Sequence, residues 1–138
     1  MPAAPTANEQ VIQAVVSGPG GANRLITCTG HALIPMAVDP GQVAREIWTF
    51  LVGPPLPHPQ FHRATATAAV AGFGVQVQDP TVSGWHNVTF WSVEADWDDE
   101  SGRTEMRVEV EVSAGPGIRM SFGRIAFSAT VLAEIPTT

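Results

Sequence analysis

The chain has 138 residues, enough for one domain that buries about two-thirds of its unfolded surface without staples. With 44% hydrophobic and only 14% charged residues it is not a disordered chain, and 7 positive against 13 acidic residues (net −6) leave no basic face for nucleic acid. A lone cysteine rules out an intrachain disulfide, and no apolar run approaches the roughly 20 residues of a membrane helix.

The start, MPAAPTANEQ, lacks the basic and apolar regions of a signal peptide. The expectation is a cytoplasmic protein; non-classical export or a phage particle would leave no mark here. Residues 1–8, rich in Pro and Ala, read as a flexible arm, and 9–138 as a single β-rich domain. QVIQAVVS (10–17) reads as a short strand, SGPGGANR as a turn, and RLITCTGHALIPM (24–36) as a second strand.

DPGQVAREIWTFLVGPP differs in kind. Asp39 can cap a helix, Pro40 suits its first position, and Gln42 completes a capping-box spacing. Val43, Ile47 and Leu51 recur at helical intervals, with Gly53-Pro54 as a stop. These signals predict a helix over 40–52. PPLPHPQ (54–60) is a loop, since its prolines suit neither helix nor central strand.

Four long strands follow, at about 61–78, 86–97, 104–113 and 117–134. In the first, ATATAAVAG (64–72) is a strip of small side chains that lets the helix, or a neighbouring subunit, approach closely. In the third, Met106, Val108, Val110 and Val112 share one face, and Glu105, Arg107, Glu109 and Glu111 the other, as in a half-buried strand. In the last, Ile118, Met120 and Phe122 are out of phase with Ile125, Phe127, Ala129 and Val131, which predicts a β-bulge near Gly123-Arg124. The predicted fold is mainly β, an antiparallel β-sandwich or partly closed β-barrel with one short helix.

Candidate chemistry is sparse. The acidic turn 96–100 fails as a calcium loop counted from Asp96, because position six is Ser101 and position twelve Arg107. It reads as a solvated hairpin turn without a metal. Cys28 and His31, three apart on a strand, point to opposite faces and form no nucleophile–base pair. His58 and His62 have the spacing of a helical metal pair, but the prolines beside them forbid the helix. SGPGGAN joins two strands and lacks the Lys of a phosphate loop, so no cofactor is indicated.

What remains is aromatic. Trp85-His86-Asn87 opens a strand just after the turn DPTVSG, which sets a flat ring beside imidazole and amide groups at a loop rim. Such a set suits the C–H faces and hydroxyl edges of a sugar. Trp91 and Trp97 read as inward-facing.

Residues 90–134 run FWSVEADW, acidic residues, Arg107-Val108, SAGPG, IRMSFG and AFSATVLAE. This order resembles the β-meander of H-type lectins, six-stranded sandwiches that bind N-acetylgalactosamine-type sugars and usually form trimers or hexamers. The resemblance covers about a third of the chain. Of the family's sugar-binding groups it implies a role for Arg107, on a strand. The Trp-His-Asn triplet of some members matches Trp85, His86 and Asn87, ahead of that stretch.

The expected function is a non-enzymatic, homo-oligomeric binding module that recognises a glycan or a protein surface. Two alternatives stand beside it. One is a structural subunit of a larger particle, assembled through the Ala-rich strand and the Pro-rich arm. The other is a small barrel enzyme or carrier with an apolar pocket lined by Trp48, Phe73 and Met120.

Overall fold

The computed structural model describes residues 1–18 and 20–135. Its seven strands are β1 (Thr6–Gly18), β2 (Gly21–Val38), β3 (Val43–Val52), β4 (Phe61–Val77), β5 (His86–Trp97), β6 (Thr104–Ala114) and β7 (Ile118–Glu134). Two antiparallel sheets result, ordered β1-β2-β7-β4 and β3-β6-β5, which pack as a sandwich and not as a closed barrel. Of the expected turn SGPGGANR, Pro19 lies outside the described residues; the strands it joins meet at the pair Gly18–Gly21.

The period-2 patterns decide which faces meet. Met106, Val108, Val110 and Val112 of β6 are fully buried, as are Met120, Ile125 and Ala129 of β7 and Ile26, Cys28 and Ile34 of β2. Each large side chain of this kind contributes about 1.5–3 kcal/mol by leaving water. The bulge in β7 stands where the phase change placed it. Phe122 pairs with Met36 and Phe73, Arg124 pairs with Leu33 and Gly72, and Gly123 between them has no partner in either register. Both Phe122 and Ile125 thereby face the core.

Residues 40–52 are not a helix. Strand β3 pairs residue by residue with β6, from Val43–Ser113 to Val52–Thr104. The capping signals belong to a tight turn: Gln42 N–H donates to the Asp39 carbonyl at 3.0 Å, and Gly41 takes φ +78°. Pro followed by a left-handed Gly is the signature of a type II turn. The Gln42 side chain does accept from Asp39 N–H at 3.2 Å, as in a capping box, but it closes a turn. Trp48, Phe50 and Val52 point inward, and the helical spacing of Val43, Ile47 and Leu51 is the outer row of the strand. The Asp39 carboxylate faces Arg119, at 3.5 Å and well exposed. Asp39→Ala is therefore expected to cost less than about 0.5 kcal/mol in denaturant unfolding, where a lost helix cap would cost about 1 kcal/mol.

The small side chains of β4 lie against the facing sheet, not against a helix. Ala64, Ala66 and Ala68 pack on the core, and β4 comes close to β5 of the facing sheet. That flank of the sandwich is drawn shut. The opposite flank differs, because four strands lie over three and β1 overhangs. Nearly all of β1 is exposed.

The first residues, expected as an arm, run beside β3. Thr49 N–H donates to the Pro2 carbonyl (3.1 Å), Ala4 N–H donates to the Thr49 carbonyl (2.8 Å), and Ala4 is buried. Further on, Glu9 of β1 accepts from Gly53 N–H at 2.7 Å, and Arg103 Nε donates to the Gly53 carbonyl at 2.8 Å. This clasp ties β1 to the turns after β3 and β5.

Candidate functional site

Three loops gather at one end of the sandwich, at 39–42, 78–85 and 114–117. Backbone bonds lock them together: Gln78 N–H to the Gly117 carbonyl (2.7 Å), Gly115 N–H to the Trp85 carbonyl (2.7 Å) and Gly41 N–H to the Ala114 carbonyl (3.0 Å). Trp85 sits at this rim and is 54% exposed. A Cβ on Gly115 would fall 2.5, 2.6 and 2.7 Å from three consecutive atoms of the Trp85 five-membered ring. Near-equal distances place that point over the ring face, not at its edge. One face of the indole therefore lies flush on glycine backbone and the other is turned away from it.

His86 begins β5 opposite Ala114, and its ring centroid is 5.7 Å from that of Phe73 on β4. Phe73 is 55% exposed, at the mouth between the two sheets. Asn87 Nδ2 donates to Thr89 Oγ1 at 2.9 Å, which orients the amide on the outer surface of β5. The expected triplet thus stands at a loop rim, and Phe73 joins it. The sequence pointed to Phe73 as lining an apolar pocket, not the rim; its strand partner Phe122 is buried, but Phe73 itself stands exposed on the outer strand of the larger sheet.

Arg107 is elsewhere. It projects from the wet face of β6 between Thr49 and Glu94, six residues along the strand from Ser113, the partner of Asn87. At about 3.4 Å per residue that is roughly 20 Å, too far to share a sugar ring with Trp85. Nor do 90–134 form a single meander: β5 and β6 pair, but β7 crosses to the other sheet. Both edges of β6 are already taken, by β3 and β5.

Trp91 corrects a second expectation. The β5 register slips between Phe90 and Ser92, which turns Trp91 outward to 53% exposure. Arg45 covers it, the guanidinium carbon 4.4 Å from the ring centroid, and pairs in turn with Glu109 at 2.6 Å. Trp97 packs as expected, half-buried, with Nε1 donating to the Leu56 carbonyl at 2.9 Å and His58 stacked on it at 4.5 Å. His62 faces Glu134 instead, so His58 and His62 are engaged separately.

Cys28 is fully buried; burial, with the Glu9 carboxylate adding to it, pushes the thiol up to about 11. It stays protonated at neutral pH and is no nucleophile. Trp48 and Met120 are buried in packed core while Phe73 is exposed, so these three line no common lumen.

The acidic turn 96–100 folds on itself. Asp98 accepts from Ser101 Oγ (2.6 Å) and Ser101 N–H (3.0 Å), and these bonds hold its carboxyl below the usual range. It walls a depression of about 580 Å³ with Glu100, Glu105 and the first residues of the chain. Burial, then repulsion from Asp98 and Glu100, raises the Glu105 carboxyl. An acid raised in the folded state adds stability below its unfolded pKa and loses it as pH rises through the folded value. Glu105→Gln should therefore raise the melting temperature at neutral pH and leave it unchanged well below the carboxylate range. A loss of stability at neutral pH would show Glu105 in a favourable pair. Among the described residues that line it the only aromatic ring is that of Phe50, 4% exposed, so it offers a sugar no platform.

Against protein-family models, curated proteins and solved structures, the chain has no match. Its site rests on its own geometry.

Proposed function

We propose that this protein is a non-enzymatic binding module of the β-sandwich type that recognises a glycan at the loop-bearing rim and works as a homo-oligomer. The carrying observation is the Trp85 indole, backed by Gly115 on one face and exposed beside His86, Asn87 and Phe73. A held, half-open aromatic ring stacks on the C–H face of a pyranose at little entropic cost, while imidazole and amide meet its hydroxyls. Trp91 is the weaker platform because Arg45 occupies it. The N-acetylgalactosamine-type sugars of the H-type lectins are the first ligands to try.

The test is a glycan array followed by calorimetric titration. Trp85→Ala should weaken binding by about 1–3 kcal/mol with the fold retained, and Arg107→Ala should leave it unchanged. Equal affinity in wild type and Trp85→Ala would remove the rim as the site. A second reading, a structural subunit of a larger particle, draws on the uncovered strand β1.

A further inference from the structure

The sandwich has four outer strands, and an exposed strand edge is a template for pairing with another chain. Three of the four carry a device against this. The edge of β3 is covered by residues 2–4, bonded to Thr49. The edge of β5 is broken by the bulge at Trp91 and drawn towards β4. That of β4 is irregular at three places, between Phe61 and Arg63 and on both sides of Gly72. Only β1 is bare. From Gln10 to Gly18 it pairs with β2 without a break in register, contains no charge and no proline, and shows solvent Val11, Ile12 and Val15 at 43%, 69% and 72% exposure. Glu9, its one acid, is turned into the clasp with Gly53.

We propose that the bare edge of β1 pairs antiparallel with β1 of a second copy of this chain, about a twofold axis at Gln13, to make one eight-stranded sheet across a dimer. The occupant follows from charge and pattern. Each copy carries −6, so two copies repel except where the meeting surfaces are neutral, and β1 offers such a surface to itself. Centring the axis on Gln13 sets Val11 opposite Val15 of the other copy, twice, and the two Gln13 amides opposite each other. Ile12 then meets Ala14, and Gln10 meets Val16. A shift of two residues either way sets Val11 against Ser17, or Val15 against Glu9, and loses both valine pairs. A twofold contact of this kind closes on itself, so it gives a dimer and not a fibre.

The proposal specifies the partner for the homo-oligomer part of the functional reading and rests on it there, but not on the glycan. Light scattering should give about twice 14.6 kDa for the wild type. Gln13→Cys should form a disulfide-linked dimer under mild oxidation, because a twofold pair sets equivalent Cβ atoms within reach, and buried Cys28 does not compete. Val75→Cys on the β4 edge should not. The double variant Val11→Lys, Val15→Lys should run as a monomer with wild-type circular dichroism. A wild-type monomer, a trimer or an open fibre would overturn the proposal, as would Val75→Cys linking where Gln13→Cys does not. The glycan array on the same samples keeps the readings apart. A dimer that binds no sugar sinks the rim and leaves this interface, and a monomer that binds sugar does the reverse.

Discussion

Phe122→Ala is expected to cost about 3–5 kcal/mol, the largest effect of any single truncation considered. Phe122 is 1% exposed and meets Phe90 of the facing sheet edge-on, centroids 6.4 Å apart. It is also the last core residue before the bulge, so the cavity opens where β7 is least able to close up. Scanning calorimetry should show a fall of roughly 10–20 °C for a chain of this size. Phe73 is paired with Phe122 in the sheet yet 55% exposed, and Phe73→Ala should move the melting point by only a few degrees. Equal losses at both positions would mean that the mouth between the sheets is packed shut and the aromatic rim is core.

Gly117→Ala is the second large loss. Gly117 has φ +71°, and a Cβ there would lie 2.5 Å from Val82 and 2.8 Å from the Asp79 carbonyl. The left-handed backbone costs an L-residue about 1–2 kcal/mol. The collision adds about 1–3 kcal/mol, since the Asp79 carbonyl is main chain and cannot rotate away. Gly41 has nearly the same φ, +78°, with nothing near its Cβ position. Gly41→Ala should therefore show the backbone term alone, and the difference between the two variants in denaturant unfolding isolates the contact of loops 78–85 and 114–117. Those loops carry Trp85, so Gly117→Ala should also weaken glycan binding while Gly41→Ala does not.

The strands of this protein were legible where one face is wet and the other dry. MRVEVEV in β6 alternates cleanly because its outer face stays in water, and the parity change in β7 exposed its own bulge. Strand β3 was misread for the complementary reason. Its outer row, Val43, Ile47 and Leu51, is nearly as apolar as its inner row, so period 2 was blurred and an accidental period of four stood out. Its β-branched and aromatic content, V-I-W-T-F-V, was the better guide. Asp-Pro-Gly-Gln could open a helix or close a type II turn, and only the partner strand β6 decides between them. Trp91 was misplaced by a bulge that no parity change announces. The Trp85 triplet was legible as a rim because a turn precedes it. The distance to Arg107 was not, since it depends on which strands pair and in what register.

The sheet order β1-β2-β7-β4 also governs when the molecule can come into being. Strand β7 is the last of the seven to be synthesised, yet it lies in the middle of the larger sheet and joins β2 to β4. While a ribosome is still adding residues 118–134, the inner edges of β2 and β4 have no neighbour and the buried side chains of β6 have no lid. The nascent chain can form the β1–β2 and β5–β6 hairpins, whose contacts are local, but the sandwich must wait for its final strand. Non-local pairing of this kind places refolding in the slow range, milliseconds to seconds. A chain truncated before Ile118 leaves β4 unpaired and the inner edge of β2 open, and its expected fate is aggregation or proteolysis, not a smaller domain.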